Sequence, residues 1–372
     1  AAPIMIISSL VMQIASPLGD LLDTIGTPVV IISLVTDGIL GAVYFALLMV
    51  SYIFGISLVF GFMEEVGYMA RISFVFDNVM RKLGLHGKAV MPFLVSFGCN
   101  IGGATGTRVL DTWGQRIMTI ALSWVIPCAS TWAVIGLVST LFFGVGALLV
   151  VISLFLVAAL HMFFTYKIFG KRLLSESDRV GLVMELPPYH RPHWKNLFQY
   201  VFSRMGDVLK RALKIIVVVS VVFWALSYSA DGMIENSIIY KMGTAIEPIT
   251  MCFGLRWQMF MAWLSSGLGK ESSLGVLSAL FQNHEIWNAI INQKSAIIDT
   301  TAVGTSMIQM ISKPEALAFI YAFFFNMPCL MALSASAQET HSMKWTIRIA
   351  FYYIIVSLLL ACIVYHIGIL LF

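Results

Sequence analysis

Long uncharged stretches separated by short polar connections dominate this chain. Between Asp37 and Glu64 lie 26 uncharged residues, and between Arg116 and Lys167 lie 50. Glu315 to Glu339 encloses 23, and 24 follow Arg348 to the C-terminus. A helix needs about 20 apolar residues to cross a bilayer, so the pattern predicts one span in each of three runs. It predicts two in the 50-residue run, joined by a tight turn near Gly144-Val145-Gly146. The 16 uncharged residues between Lys214 and Asp231 make a short span. It would begin a turn earlier, with lysine stems along the apolar surface and their ammonium groups in water. Residues 1–36 read either as a span remnant or as an interfacial helix.

Two apolar stretches do not fit a plain helix. Residues 89–107 are interrupted by Pro92, Gly98, Gly102, Gly103 and Gly106, and 257–284 carry Lys270-Glu271 near their centre. Broken or re-entrant helices have this appearance. Membranes accommodate them only where they are buried in protein or line a cavity. The glycines at 98, 102 and 106 also form small-xxx-small steps, which permit close helix packing.

The middle of the chain differs in kind. Residues 167–214 hold ten basic side chains against four acidic ones, which makes this loop cytoplasmic by the positive-inside rule. Within it Trp194, Leu197, Phe198, Val201, Phe202, Met205, Val208, Leu209 and Ala212 recur at helical spacing, with Lys195, Gln199, Ser203, Arg204, Lys210 and Arg211 between them. That pattern predicts an amphipathic helix lying in the membrane interface. His190 and His193 belong to this interfacial segment.

Composition supports the same class. Of the 372 residues 59% are hydrophobic and 11% charged, with a mean hydropathy of +0.89. Soluble domains carry roughly 25% charged residues, so a water-soluble globular fold is excluded. The net charge of +4 comes without an aromatic-interleaved basic patch, so no nucleic-acid partner is expected. Five cysteines lack the density and spacing of a disulfide framework and read as thiols. The chain opens at Ala1-Ala2-Pro3 with no signal-peptide pattern, and reads as one section of a longer protein. The expected fold is an all-α polytopic membrane protein of about seven or eight transmembrane helices, with two gate-type repeats containing broken or re-entrant helices.

The repeat rests on similar words in both halves. Acids at Glu64-Glu65 precede Pro127-Cys128, and Lys270-Glu271 precede Pro328-Cys329 at a similar separation. Intramembrane charge is costly and defaults to a functional role, so Glu64, Glu65, Lys270 and Glu271 are candidates, with interhelical ion pairing as the structural alternative. Cys99 sits among glycines, while Cys128 and Cys329 follow prolines that free backbone carbonyls. Thiol, thioether and carboxylate together suit a divalent transition metal better than Mg²⁺ or Ca²⁺, and Met69 could add a soft ligand. Cys252 and Cys362 read as packing residues. Gly267-Leu268-Gly269-Lys270-Glu271-Ser272 lacks the spacing of a phosphate loop, and no catalytic hydrolase arrangement occurs. This chain is not expected to be an enzyme.

Glu64-Glu65-Val66-Gly67-Tyr68-Met69-Ala70-Arg71, Gly84-Leu85-His86-Gly87-Lys88, Phe97-Gly98-Cys99-Asn100 and Thr107-Arg108 resemble the first gate motif of the ferrous iron transport protein B family. Glu185-Leu186-Pro187-Pro188-Tyr189-His190 resembles its cytoplasmic linker; Gly269-Lys270-Glu271 and Pro328-Cys329 resemble its second gate. The resemblance implies a multi-pass importer of Fe²⁺ in the bacterial inner membrane. It divides the chain into an N-terminal apolar segment (1–36), a first gate region with the helices after it (37–166), the basic linker (167–214) and a second gate region (215–372). It implies pore cysteines at Cys99, Cys128 and Cys329; Glu64, Glu65, Glu271, Met69 and Asn100 stand beside them as further candidate ligands. The family also implies a cytoplasmic GTP-binding domain, which this sequence does not contain, and small accessory Feo proteins. Two departures flank the implied ligands: Ala129-Ser130-Thr131-Trp132-Ala133 after Cys128, and Ile101-Gly102-Gly103 after Asn100. A manganese-preferring relative, a nucleoside-type gate carrier and a non-transporting membrane scaffold stay open as readings.

Overall fold

A computed structural model describes residues 54–174 apart from 56, 238–281 apart from Glu271, 307–371 apart from 309, and parts of 189–225. The expected spans before residue 54, the loop 175–188 and Glu271 lie outside the described residues. Among those described the protein is helical, and no strand occurs. Two stretches are long and apolar enough to cross a membrane, Ala129–Leu173 and Met343–Leu371.

The first half runs α1 (Tyr68–Lys82), α2 (Val90–Gly98), α3 (Asn100–Gly106), α4 (Trp113–Ser123), α5 (Ala129–Phe143) and α6 (Ala147–Leu173). Helices α2 and α3 fold back on each other. Gly103 lies so close to Ser96 and to the Pro92 carbonyl that a Cβ there would collide with the Ser96 hydroxyl, and Gly106 rests on Pro92. The tip of this hairpin is Cys99, in extended conformation (φ −155°, ψ 123°).

Helix α5 continues from α4 after a break at 124–128, and a 3₁₀ turn at Gly144–Gly146 then reverses the chain. That turn divides the apolar stretch Ala129–Leu173. Helix α6 returns along α5 and α4, so its last residue meets the first turn of α4. Gly114 leaves no room for a Cβ beside the Leu173 carbonyl.

The second half runs α7 (Ile238–Thr250), α8 (Trp257–Ser266), α9 (Ser272–Phe281), α10 (Lys313–Phe324), α11 (Leu330–Thr340) and α12 (Met343–Leu371). Helix α10 opens with a capping box: the Ser312 backbone N–H donates to Glu315 Oε2 at 2.7 Å, with Pro314 in the first turn. Helix α11 continues from α10 after a break at Phe325–Cys329. It ends where His341 takes a left-handed conformation (φ 48°).

Contacts between remote segments orient the halves. At one end, Arg108 pairs with Glu339, the Trp113 indole N–H donates to the Thr340 carbonyl at 2.8 Å, and Gly114 meets Leu173. At the other, Arg256 pairs with Glu315, and Gly368 rests on Pro314. Helices α4 and α5 therefore run from the first end to the second, and α10 and α11 run back. Between the ends Trp132, shortly after the first break, packs edge-on against Phe324, just before the second, with ring centres 6.2 Å apart.

The packing follows from the side chains. In α12 the residues Thr346, Ala350, Tyr353, Ser357 and Ala361 form a buried stripe, mostly small. Ile347, Phe351, Ile355, Leu359, Ile363 and Ile367 form an exposed apolar one on the same helix. A buried stripe of small residues with large apolar groups outward is the amphipathicity of a helix packed on protein and facing lipid, not water. Tyr353 reaches across to α4, donating its hydroxyl proton to the Ala121 carbonyl.

Candidate functional site: two helix breaks between the ends

The break in α10–α11 is built from Asn326-Met327-Pro328-Cys329. Proline has no N–H and ends the helical ladder. One residue earlier, the Met327 N–H turns to Asn326 Oδ1 at 2.8 Å, so the carbonyl of Phe323, its partner in a continuing helix, is left for another donor. Asn326 is itself held by two bonds from its Nδ2, to the Trp263 carbonyl at 3.2 Å and to Ser266 Oγ at 2.7 Å.

The break between α8 and α9 lies against this one. The Leu330 N–H donates to the Gly267 carbonyl at 2.8 Å, and Gly267 meets the Met327 methyl group. Lys270, only 4% exposed, donates from Nζ to the freed Phe323 carbonyl at 3.0 Å and lies 4.9 Å from the centre of the Phe323 ring. The same ammonium is within electrostatic reach of the thiols of Cys128 and Cys329. Each of these cysteines stands immediately before a helix, extended, at the start of α5 and α11. Cys128 Sγ lies 3.3 Å from Thr131 Oγ1.

Not every residue singled out in the sequence joins this centre. Cys128 and Cys329 lie within electrostatic reach of Lys270. Cys99 occupies the tip of the α2–α3 hairpin, whose arm α3 packs on α11. Asn100 follows it, buried, with Oδ1 lacking a hydrogen-bond partner among the described residues. Met69 is buried in α1.

Glu64 is exposed. Glu65 accepts from the His193 N–H at 3.4 Å and lies 3.7 Å from His193 Nδ1. Phe62 and Arg71 flank this contact, meeting Trp194 and Tyr189. Glu65 thus faces the linker. Among the described residues, no three His, Cys, Asp or Glu side chains converge as a ready metal cage.

Two residues escaped the sequence reading. Asn326 fastens the two breaks together, and nothing in its spacing announces it. His161, deep in α6, is 5% exposed, and neither ring nitrogen has a hydrogen-bond partner among the described residues. It is enclosed by Phe325, Tyr352 and Tyr353, with ring centres 5.0–5.5 Å away. A lone ionisable ring in a 50-residue uncharged run was the available signal.

Comparison with known proteins reaches the same elements. The family model "Gate: Nucleoside recognition" matches residues 46–142 and 209–343, which include both breaks and the cysteine-tipped hairpin. A second model, the ferrous iron transport protein B C terminus, matches 151–204. The Fe(2+) transporter FeoB of Methanocaldococcus jannaschii is 28% identical, over 92% of this chain and 50% of its own length. That of Escherichia coli K12 is 28% identical, over 85% and 47%. An Fe(2+) transport protein A/Fe(2+) transporter FeoB fusion protein of Porphyromonas gingivalis is 26% identical, over 91% and 44%. The chain spans about half the length of these relatives. No solved structure matches.

Proposed function

We infer the function from a premise the comparisons supply: the chain belongs to the ferrous iron transport protein B family and corresponds to its membrane region. We propose that it forms the path by which Fe²⁺ enters the cell, with the ion passing the junction of the two breaks. The observation that carries this reading is that Cys128 and Cys329 each stand at the break of an interrupted helix, and that α5 and α10, which flank those breaks, pack on each other. An ion leaving water must exchange its hydration shell for protein ligands, and must then be released. A closed four-thiolate cage of the structural zinc kind would trap it. Thiols, freed carbonyls and carboxylates met in succession bind more weakly and suit Fe²⁺ or Mn²⁺. On this reading Cys99 is a ligand on one approach, with Asn100 beside it. Glu271 serves the other approach; Glu65 contacts the linker, and Glu64 and Met69 are further candidate ligands.

The architecture proposed is an inverted pair of gate repeats in a bundle of about seven or eight spans. Each repeat comprises a glycine-tipped hairpin and a helix broken at Pro-Cys. The opposite directions of α4–α5 and α10–α11 support this. The basic linker is placed in the cytoplasm of a bacterial cell, where it would meet a GTP-binding domain of the same protein. The fusion in the Porphyromonas gingivalis relative supports a small accessory Feo protein as a further partner.

The match to a family described by nucleoside recognition favours testing a nucleoside as second substrate class. In anaerobic proteoliposomes holding the full-length protein, Fe²⁺ should accumulate and excess Mn²⁺ should compete, while a nucleoside should neither enter nor inhibit. Nucleoside uptake without Fe²⁺ uptake would overturn the proposal.

A further inference from the structure

Three carboxylate or ammonium side chains are almost fully buried among the described residues: Glu315, Glu339 and Lys270. The two glutamates are paired with arginines. Lys270 has no ion pair among the described residues. Its contacts are a backbone carbonyl, an aromatic face and two thiols within electrostatic reach. Removing an ammonium from water costs several kcal/mol, so a lysine in this position needs an environment built for a cation.

The structure has that environment. The Phe323 carbonyl lies in the last turn of α10, where the helix dipole is negative, and the break at Met327 leaves it without its backbone partner. Half-helix C-terminal ends with unwound carbonyls hold cations in other broken-helix transporters. The ring face of Phe323 adds cation–π attraction. A lysine stem rising from the facing break places its ammonium on these donors, within electrostatic reach of the two cysteines on which the proposed metal path depends.

We propose that Lys270 is a resident cation: in the empty protein its ammonium occupies the Phe323 carbonyl at the C-terminal pole of α10, and an incoming divalent ion must displace it. This rests on the transport reading above and deepens it by naming the residue that sets affinity. A tethered competitor keeps the empty site compensated and weakens binding by the fraction of time it holds the site. It also returns as the ion leaves, which favours release.

The test measures equilibrium Fe²⁺ binding under anaerobic conditions and uptake by proteoliposomes, both with the full-length protein. If the ammonium occupies the donors about nine-tenths of the time, Lys270→Met should bind Fe²⁺ about tenfold more tightly and transport it more slowly. Lys270→Arg keeps a cation on the carbonyl and should bind as weakly as wild type. In unmodified protein, Fe²⁺ should raise the reactivity of the Lys270 amine toward an amine-modifying reagent, read by mass spectrometry, without dependence on how a variant folds. Wild-type binding with no tightening in Lys270→Met and no Fe²⁺-dependent labelling would overturn this inference while leaving the transport reading intact. Wild-type protein that neither binds nor transports Fe²⁺ would overturn both.

Discussion

Arg108 and Glu339 stand 231 positions apart, and the guanidinium grips the carboxylate from both Nε and Nη2. The glutamate side chain is 8% exposed and the arginine 70%. The pair ties the exit of the Cys99 hairpin to the end of the helix that Cys329 begins. Arg256 and Glu315 do the same at the opposite end, tying the start of the second hairpin to the start of α10.

Loss of Arg108 strands a nearly buried carboxylate. Breaking a fully buried pair costs about 3–5 kcal/mol, and solvent screening at the exposed arginine reduces this. Arg108→Ala should therefore lower stability by about 1–2 kcal/mol, measured by thermal unfolding in detergent. The exchange Arg108→Glu with Glu339→Arg should recover part of the loss. Equal loss in the single and exchanged proteins would show that the contact contributes shape and not charge.

Asn326 donates twice to α8 and accepts the Met327 N–H. Asn326→Ala leaves the Trp263 carbonyl, the Ser266 hydroxyl and the Met327 N–H without that partner, at about 1–3 kcal/mol for each buried group left unsatisfied. The expected result is a lower unfolding temperature together with reduced Fe²⁺ uptake. Asn326→Asp keeps the acceptor for Met327 and loses both donors, so it should still be impaired. An Asn326→Ala protein with normal unfolding and uptake would show that the breaks hold their register without it.

His86 caps the 3₁₀ turn Gly87–Ala89, its Nδ1 accepting from the Lys88 N–H at 3.3 Å. Burial, and then the Lys88 charge, lower its pKa below the usual 6.5. The folded state therefore favours neutral imidazole. Its contribution to stability is present above about pH 6.5 and is lost as pH falls through 6.5 toward the folded value. His86→Asn, which can cap without titrating, should show a smaller loss of unfolding temperature between pH 7.5 and 5.5 than wild type. Identical losses would remove His86 from the account.

In the proposed topology the end that carries Arg108–Glu339 and the Gly114–Leu173 contact, which the basic linker follows in sequence, faces the cytoplasm. A cysteine at Ser177, in protein otherwise lacking cysteine, should react in intact cells only with a membrane-permeant reagent. Reaction with an impermeant one would invert the topology.

Much of this arrangement was legible because its determinants are local. Proline and glycine break helices wherever they occur, so Pro328, Gly98 and the glycines around Leu268 announced the interruptions. Lys270 was visible as a charge in an apolar run. Its partner was not, because a backbone carbonyl has no sequence signature and becomes a site only when Met327 turns to Asn326. The contact between Glu65 and His193 was equally hidden, for it depends on where the linker lies. The Arg108–Glu339 pair joins two segments whose separation in sequence carries no hint of contact. Nor does repeat spacing tell direction: Pro127-Cys128 and Pro328-Cys329 read alike, yet their helices run oppositely.

The central claim is that a divalent ion passes the two prolyl cysteines. Initial rates of anaerobic Fe²⁺ uptake by full-length protein in vesicles test it most directly, comparing wild type, Cys329→Ser, the double change Cys128→Ser with Cys329→Ser, and Cys362→Ser. Cys362 lies in α12, its thiol 3.8 Å from His366 Nδ1, away from the breaks. The account predicts a clear fall for Cys329→Ser and near loss for the double variant, at unchanged expression and unfolding temperature, with Cys362→Ser like wild type. Wild-type uptake by the double variant would contradict it.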